Sequence, residues 1–381
     1  MNTKIVNFDE LIDLSKAMKI GFDAKRAFQN NTGLGNYSRF VMEGLLKYFP
    51  QHEYFACTPK LGVRDWGELG IRAILPTNKI FWRSFFIKND LQRNNIQIYH
   101  GLSNELPFGK MPNGIKTVVT IHDLIFERYP RLYPFFDTLI YKIKFRKACK
   151  NADMIVAVSE QTKNDIVEYY GTNPDKIKVI YQDCDAAFQV KLSAETVKNV
   201  TKKYDIKKKY ILSVGSIIER KNQGNLVAAF HKLNLSNYQL ILVGGRSKYQ
   251  DQIEKYIIKN NVQNVKILNK VPFGDLPALY QGALLFVYPS FFEGFGIPIL
   301  EALHSGIPVV AATGSCLEEA GGEGALYAKP SDVDDLAEKI ISVLANKDLQ
   351  KTLVEAGQKH IQKFSAEKVA GELDEVYQKL F

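Results

Sequence analysis

Short apolar runs alternate with segments of helical periodicity along the whole chain. In the first half, KIGFDA, IQIYHG, KTVVTIHDL, MIVAVSE and KIKVIY are separated by amphipathic segments such as NYSRFVMEGLLKYF. After the polar stretch 191–209 the pattern starts again with YILSVGS, QLILVGG, VKILNKV, LLFVYPS and IPVVAA. Alternation of this kind predicts βαβ units, in which parallel strands form a sheet with helices on both faces.

The restart of the pattern predicts two doubly wound, Rossmann-like α/β domains. A chain of 381 residues exceeds the size at which one hydrophobic core usually stops growing. We place the first domain at 1–190, the second at 191–365, the linker near 188–200, and a last helix at 366–381 that packs toward the first domain. Such sheets bind ligands at the carboxyl ends of their strands, so we expect the site in a central cleft between the domains.

Composition and charge exclude several classes of protein. With 46% hydrophobic and 24% charged residues, the chain is typical of soluble globular proteins. The net charge of +9 is spread over both halves, so no nucleic-acid partner is expected. The polar amino terminus lacks the apolar region of a secretory signal, and each apolar run is shorter than the ~18–20 residues that cross a bilayer. The cysteines are scattered, which argues against a zinc or disulfide framework and for a cytoplasmic location: they are Cys57, Cys149, Cys184 and Cys316.

Segment 128–150 combines seven basic residues, one acidic residue and several aromatic rings. One interpretation is peripheral contact with an anionic membrane surface. The alternative is a helix whose aromatic and aliphatic side packs on its own domain while its lysines stay in water. The pattern leaves both interpretations open.

Two loops in the first half carry candidate binding residues. Gly33 and Gly35 lie between a strand and a helix, where glycine lets a ligand approach the backbone and the helix amino terminus attracts phosphate. The third glycine of the dinucleotide fingerprint is missing, so a phosphate loop or a plain tight turn is favoured over a dinucleotide site. His122 and Asp123 end an apolar strand, a position that suits ligand binding, proton transfer or a structural role.

A third loop places two cations before a helix. Arg220 and Lys221 follow the strand YILSV and its glycine. Adjacent cations at a helix amino terminus are unfavourable with the helix dipole, so a bound anion such as a diphosphate would offset them. An exposed basic turn is the alternative.

The stretch PSFFEGFGIPILEA has Glu293 just before a helix and Glu301 eight residues later. Pro298 suits the first turn of that helix. At this spacing two residues lie ~80° apart around a helix and about 12 Å apart along it. Two such carboxylates suit the hydroxyl groups at the ends of a long ligand, while loop amides and the basic pair hold an anion. A sugar nucleotide, with its hexose, diphosphate and ribose, has this shape.

These motifs resemble the retaining GT-B glycosyltransferases of glycosyltransferase family 4 (group 1), and mannosyltransferases in particular. PSFFEGFGIPILEA is similar to the family's pair of glutamates separated by seven residues, and the resemblance covers nearly the whole chain, through TGLGNYSR, IHDL, NADMIVAVSE, VIYQDCDAAF, YILSVGSIIERKN, LILVGGR, LPALYQGALLFVYPS and KPSDVDDLAEKI. It implies transfer of a hexose from a nucleotide diphosphate sugar to a hydroxyl of a glycan or glycolipid in surface polysaccharide synthesis.

The resemblance also implies roles for single residues. Glu293 would contact hydroxyls of the donor sugar, Glu301 the ribose and Lys221 the diphosphate. His122 would lie beside the reacting sugar, and the amides of residues 294–296 would contact sugar or phosphate.

One position departs from the family pattern. Many relatives have an arginine where this chain has Ser216, and Arg220 is the candidate to replace it. The complete prediction has His122, Glu293, Lys221 and Arg220 as catalytic residues, and Gly33, Gly35, Asp123, Gly294, Phe295, Gly296 and Glu301 as donor-binding residues; Gly35 would make room for the diphosphate.

Neither a metal nor a cofactor is expected. Asp183, Cys184 and Asp185 resemble the metal-binding DxD motif of other glycosyltransferases, but they lie where family 4 has an asparagine-glycine linker segment. A divalent cation needs several oxygen ligands, and the basic pair can neutralise the diphosphate instead.

The expected partners are a nucleotide-sugar donor and a glycan or lipid-linked acceptor at the inner face of the membrane. The resemblance favours GDP-mannose over UDP-glucose as the donor. The loops that would bind the acceptor include residues 79–88 with Trp82. The alternative function is a non-catalytic nucleotide-sugar-binding protein.

Overall fold

The computed structural model describes residues 17–30, 33–62, 66–76 and 80–381. The amino-terminal polar stretch up to residue 16, Thr32 of the glycine loop and residue 79 lie outside these ranges. The described strands form two sheets. The first contains β1 (Lys19–Asp23), β2 (Glu53–Cys57), β3 (Ile71–Ile74), β4 (Ile98–Gly101), β5 (Lys116–Ile121), β6 (Met154–Ala157) and β7 (Ile177–Val179); the second contains β8 (Lys209–Val214), β9 (Tyr238–Val243), β10 (Val265–Leu268), β11 (Leu285–Tyr288), β12 (Val309–Ala312) and β13 (Ala325–Ala328).

Both sheets are doubly wound. The strand order is β3-β2-β1-β4-β5-β6-β7 in the first and β10-β9-β8-β11-β12-β13 in the second. All neighbouring strands pair in parallel. The order reverses beside β1 and beside β8, the positions at which open α/β sheets leave a ligand crevice. The two doubly wound α/β domains expected from the sequence are confirmed.

Helices connect the strands. They are α1 (Lys25–Gln29), α2 (Gly33–Tyr48), α3 (Ile87–Arg93), α4 (Ile125–Arg128), α5 (Phe135–Asn151), α6 (Glu160–Tyr170), α7 (Ala194–Lys203), α8 (Gln223–Leu233), α9 (Lys248–Lys259), α10 (Leu276–Gln281), α11 (Ile297–His304), α12 (Leu317–Gly321), α13 (Val333–Ala345), α14 (Lys347–His360) and α15 (Ala366–Gln378). Strand β5 shows why the strands read as continuous apolar runs: Val118 packs in one hydrophobic cluster, and its neighbour Val119 packs in another. Side chains on both faces of this sheet are therefore buried.

The last helix packs on the first domain. In α15, Asp374 lies 2.8 Å from Nε2 of His52, and the Tyr377 hydroxyl lies 2.7 Å from Nδ1 of His100. A Cβ at Gly44 of α2 would lie 3.7 Å from Cβ of Ala370, so the two helices are in close contact. The expected return of this helix to the first domain is confirmed, while the boundaries at residues 190 and 365 stay a prediction.

Part of the expected linker is helical. Helix α7 begins at Ala194, and the side chain of Ser193 accepts a hydrogen bond from the amide of Thr196 as its N-cap. None of its residues is fully buried, and Val200 packs on the hydrophobic core from a partly buried position. The polar composition of residues 191–209 therefore concealed a helix.

Segment 128–150 is only partly covered by its own domain. After a short turn at Pro130–Leu132, it forms most of α5. Phe145 and Cys149 are buried in the carboxyl-terminal half of α5, whereas Phe135 and Phe136 at its start are exposed. Packing of the apolar side on its own domain thus accounts for only part of the helix, and membrane contact stays a prediction. Within the described ranges, no helix combines the length and apolar character needed to span a bilayer.

Candidate functional site

Glu293 forms a buried ion-pair cluster with both predicted cations. Its Oε2 lies 2.8 Å from Arg220, and its Oε1 lies 2.6 Å from Nζ of Lys221. Burial alone would raise the pKa of Glu293, but the two positive charges outweigh this effect and lower it to about 2. The side chain is therefore a carboxylate at neutral pH, and it is the anion that offsets the cation pair in this structure.

The loop after β8 sets the position of the two cations. Arg220 and Lys221 lie in a 3-10 turn that ends at Asn222, which has a left-handed conformation with φ of 61°. Asparagine tolerates this conformation better than most residues. The Asn222 side-chain amide donates to the carbonyls of Pro289 and Pro330 at 3.0 and 2.6 Å. The turn is thereby fixed against the loop that follows β11.

Two further residues bind Glu293 and were missed by the sequence analysis. The hydroxyls of Ser290 and Tyr288 donate to Glu293 Oε1 at 2.5 and 3.2 Å. Lys221 also donates to the Tyr288 hydroxyl, and burial lowers the pKa of this lysine while Glu293 opposes the shift. In the sequence, Ser290 could have been recognised by its position three residues before Glu293. Tyr288 belongs to an apolar strand, and its sequence position gave no indication of a role.

The glycine loop after β11 lies directly against the first domain. The Gly294 carbonyl accepts a hydrogen bond from Ser159 at 2.8 Å, and a Cβ on Gly294 would lie only 2.2 Å from the carbonyl oxygen of His122. From the other side, Cys316 Sγ donates to the carbonyls of Glu293 and Phe295 at 3.1 and 3.0 Å. Only glycine fits at residue 294 without a backbone shift, and Cys316 has a structural role there that its scattered position did not reveal.

His122 is buried beside this loop. Its Nε2 donates to the Leu102 carbonyl at 2.9 Å, and the Tyr37 ring meets the imidazole edge to face with centroids 4.6 Å apart. Burial lowers the pKa of His122 to about 4, with the Leu102 carbonyl opposing the shift. The ring is therefore neutral at pH 7, with Nδ1 left as a hydrogen-bond acceptor. Burial raises the pKa of the neighbouring Asp123, against hydrogen bonding from Ile125 and the charge of Arg220.

Glu301 lies in a different part of the site. A cavity of about 560 Å³ opens between α2 and α11 and is lined by Gly33, Tyr37, Asp183, Glu301 and His304, among others. Glu301 accepts a hydrogen bond from the Tyr280 hydroxyl at 2.6 Å. Burial raises the pKa of Glu301 to about 7, with Tyr280 opposing the shift. Gly33 has open space where its Cβ would be. The structure brings Gly33 and Glu301 together in this cavity, and Tyr37 connects it to His122.

Three of the residues predicted to bind the donor have structural roles within the fold. A Cβ on Gly35 would lie 1.8 Å from the carbonyl oxygen of Asn30, so this glycine serves the packing of its own domain. The Phe295 ring stacks on Tyr181 at 5.5 Å and points into the core, which leaves only its backbone for a ligand. Gly296 has φ of 130° at the N-cap of α11. Their roles toward a ligand stay predictions.

The predicted acceptor loop does not offer its tryptophan to a ligand. Trp82 is buried, and its indole N–H donates to Asp90 at 2.6 Å.

Two residues of the segment Asp183–Asp185 belong to one group of potential metal ligands among the described residues. The ligand atoms of Asp183, Cys184 and His304 all lie within 4.8 Å of one another, and Asp183 Oδ1 is 2.8 Å from His304 Nε2. Burial and the nearby Asp183 raise the pKa of the Cys184 thiol well above its usual range, so it is not a ready thiolate ligand. Asp185 instead accepts a hydrogen bond from the amide of Ala187. The absence of a bound metal stays a prediction.

Comparisons with known proteins agree with this architecture. Residues 52–186 match the family model described as Glycosyltransferase Family 4, and residues 193–360 match Glycosyl transferases group 1. O-antigen chain mannosyltransferase B of Escherichia coli is 30% identical over 276 residues, which cover 71% of each chain. O-antigen chain mannosyltransferase RfbU of Salmonella typhimurium is 32% identical over 222 residues, which cover 56% of this chain and 57% of the relative.

Solved structures share the two-domain arrangement. A glycosyltransferase from Rickettsia africae superposes with a TM-score of 0.74 and 19% identity, over 96% of this chain and 98% of its own. WaaG, a glycosyltransferase involved in lipopolysaccharide biosynthesis, gives a TM-score of 0.68 with 18% identity, over 94% of this chain and 99% of its own. These likenesses confirm the GT-B fold. With both family models matched in sequence order and a relative 30% identical over 71% of both chains, the chain belongs to the group 1 glycosyltransferases of family 4.

Proposed function

We propose that the chain is a retaining hexosyltransferase that transfers mannose from GDP-mannose to a hydroxyl of a glycan or lipid-linked glycan during surface polysaccharide synthesis at the inner face of the membrane. The observation that carries the proposal is the ionised, buried Glu293 held between Arg220 and Lys221, on a loop that touches His122. This arrangement places two cations, a carboxylate and a neutral imidazole around the contact between the two domains.

The cations are assigned to the leaving group. Glu293 cancels one of the two positive charges, so the cluster keeps a net positive charge that a diphosphate would neutralise. Because Arg220 and Lys221 are largely buried and held by Glu293, they need little reorganisation to stabilise the charge that develops as the diphosphate departs. This fixed charge supports the expectation that transfer does not need a metal.

The chemistry of the site residues supports the proposal that the anomeric configuration is retained. Glu293 is locked by two cations and has a pKa of about 2, which makes it a poor nucleophile and a poor base. We assign it to binding the donor-sugar hydroxyls. The bond from the sugar's anomeric carbon to phosphate breaks, the acceptor oxygen bonds to that carbon on the same face, and the acceptor's proton goes to the departing phosphate.

His122 is assigned to positioning the reacting sugar. With Nε2 occupied by Leu102, its Nδ1 accepts a hydrogen bond from a sugar hydroxyl. Its pKa of about 4 means that it carries no proton to donate from Nδ1 at pH 7. Glu301 in the neighbouring cavity is assigned to the ribose hydroxyls, with Tyr280 holding its carboxyl group in place.

The donor assignment rests on the relatives. The similar O-antigen proteins are named mannosyltransferases, which favours GDP-mannose. HepE from Anabaena, whose structure with UDP and glucose has a TM-score of 0.73 and 17% identity, supports UDP-glucose as the alternative donor. A non-catalytic nucleotide-sugar-binding protein is the alternative function.

A thermal-shift panel of GDP, UDP and ADP with their hexose conjugates, with and without EDTA, tests the donor, since a ligand of the folded state must raise the melting temperature. A GDP-selective shift that survives EDTA is expected. A UDP-selective shift would replace the donor, and no shift with any nucleotide would contradict the site. Once the donor is identified, NMR of the product tests retention, because an anomeric configuration opposite to that of the donor would exclude a retaining mechanism. Tight donor binding without transfer to any glycan would support the alternative of a non-catalytic nucleotide-sugar-binding protein.

A further inference from the structure

One side of helix α5 carries an exposed apolar stripe. Phe135 and Phe136 at the start of the helix are each 76% exposed. Leu139, Ile140 and Ile143 follow on the same side and are 47–49% exposed. Single exposed apolar residues are ordinary, but five on one side of a helix mark an interaction surface.

A second aromatic segment lies beside α5. The π-helical turn Trp82–Phe86 and the residue before it expose Phe81 (71%), Phe85 (49%) and Phe86 (45%). The Phe85 ring stacks on Phe108 with centroids 5.4 Å apart, and Lys147 of α5 lies 4.9 Å from the centroid of the same Phe108 ring. Phe108 therefore joins the two segments.

A shared ion-pair partner holds the same two segments together. Glu105 Oε2 lies 2.9 Å from Arg83 of the π-helical turn and 3.4 Å from Nζ of Lys144 of α5. The exposed residues of these two joined segments are called here the apolar-basic face: Phe81, Phe85, Phe86, Phe135, Phe136, Leu139, Ile140, Ile143, Arg146, Lys147 and Lys150.

The charge of this face indicates its partner. Arg146, Lys147 and Lys150 are exposed and continue the side of α5 that begins with the apolar stripe. A second copy packed with its helix parallel would bring these cations against each other, and one packed antiparallel would bury them against phenylalanines; both arrangements are unfavourable. Exposed aromatic and aliphatic side chains beside lysine and arginine instead match a surface with an apolar interior and anionic headgroups.

We propose that the apolar-basic face binds the surface of an anionic lipid bilayer. Helix α5 lies in the plane of the interface, its phenylalanines enter the acyl-chain boundary, and its cations contact the headgroups. The face starts near the candidate site, because Tyr129 and Arg128, just before α5, both contact the ring of Phe292, which precedes Glu293. In this arrangement, which rests on the proposed function, a lipid-linked acceptor meets the protein beside the cleft.

Vesicle flotation of the full chain tests the proposal without any activity measurement. The vesicles contain phosphatidylcholine alone or with about one third phosphatidylglycerol. We expect binding to the anionic vesicles that weakens as salt is raised. Phe135→Gln/Phe136→Gln and Lys147→Gln/Lys150→Gln should each lower the vesicle affinity on the order of 10-fold or more. The melting temperature of each variant shows that it remains folded.

Helix α9 provides matched controls in the second domain. Ile258 is 79% exposed, and Lys255 and Lys259 are exposed nearby. Ile258→Gln and Lys255→Gln/Lys259→Gln should bind vesicles as the unmodified chain does. Any one of three results would overturn the proposal. The first is that the unmodified chain does not bind vesicles, and the second is that the α9 controls lose as much vesicle affinity as the α5 variants. The third is that the chain forms a dimer which Phe135→Gln/Phe136→Gln abolishes, and that it does not bind vesicles. A failed thermal-shift panel with retained vesicle binding would reject the donor site alone.

Discussion

The hydroxyl of Tyr377, in the last helix, lies 2.7 Å from Nδ1 of His100 at the end of strand β4. On the other side of this imidazole, Nε2 lies 2.8 Å from the Thr120 hydroxyl, which in turn lies 3.0 Å from the hydroxyl of Tyr37. The Tyr37 ring packs edge to face on His122. A buried series of three hydrogen bonds and one aromatic ring contact therefore connects the carboxyl-terminal helix to the imidazole at the candidate site.

We expect Tyr377→Phe to lower the free energy of unfolding by about 1–3 kcal/mol, because it leaves a buried nitrogen of His100 without its partner. Urea unfolding measures this loss. The kcat/KM for the donor should also fall if this series of contacts positions His122 through Tyr37. The half-exposed Tyr256 supplies the control, and Tyr256→Phe should change neither quantity. Equal stability of the two variants would show that the His100 contact contributes nothing.

Two histidines that are buried in neutral form each lower stability in mild acid, and protonation of Glu301 over the same range acts in the opposite direction. Burial lowers the pKa of His100 to about 3 and that of His122 to about 4, from 6.5. The unfolded chain binds a proton at each histidine below pH 6.5 and the folded chain does not, so each lowers the free energy of unfolding by roughly 1.4 kcal/mol per pH unit as the pH decreases from 6.5 toward 4. Urea unfolding at pH 7, 6 and 5 measures the slope, and His122→Gln should reduce it by one histidine's share. An unchanged slope in that variant would mean that His122 is already protonated in the fold.

The fold was largely predictable from the sequence, and the site only in part. Continuous apolar strands between helices determine a doubly wound sheet, and the polar residues after those strands marked His122, Arg220, Lys221 and Glu293. The pattern could not show that Glu293 pairs with both cations, because this depends on how the loops after β8 and β11 meet.

What the sequence could not show elsewhere has physical causes of the same kind. The reason for a glycine at residue 35 is the carbonyl of Asn30, a contact that only the folded turn creates. Periodicity predicted α5 as a helix but could not determine which of its apolar residues a neighbour covers. The loop 79–88 hid a tryptophan whose indole binds Asp90.

Glu301→Gln should stabilise the protein at alkaline pH while weakening nucleotide binding. Burial raises the pKa of Glu301 from 4.5 to about 7, so its contribution to stability is fully present below pH 4.5 and is lost as the pH rises to 7. At pH 8 a neutral amide avoids a buried charge that costs roughly 3 kcal/mol at most. Melting temperatures at pH 5 and pH 8 test this, with Glu338→Gln on an exposed side chain as the control. A gain in stability that is equal at both pH values would refute the assigned ionisation.

Gly294→Ala should disturb the contact between the domains. The added Cβ would lie 2.2 Å from the backbone oxygen of His122 and 3.1 Å from Cβ of Asp123, and neither can move without a shift of strand β5 or of the loop. We expect a lower melting temperature and a loss of transfer on the order of 100-fold, because small displacements of reacting groups are costly. Gly245→Ala is the matched control, since a Cβ there meets nothing within 4 Å. Normal transfer by Gly294→Ala would show that this contact is not part of the active arrangement.

Glu293→Gln and Lys221→Ala should each abolish most transfer, by about 10²–10³-fold, because each removes a fixed charge from the reacting region. Glu293→Gln should also lower the free energy of unfolding by about 3–5 kcal/mol, since it leaves two buried cations without their carboxylate. The double variant Lys221→Met/Glu293→Gln removes one of these cations and should regain stability without regaining activity.

Lys207→Ala, at a lysine whose side chain is 76% exposed, controls for loss of a charge alone. Initial rates with a saturating donor, measured beside urea unfolding, separate the two effects. Near-normal turnover in either single variant would remove that residue from the catalytic set, whereas recovery of transfer in the double variant would mean that the cluster serves folding alone.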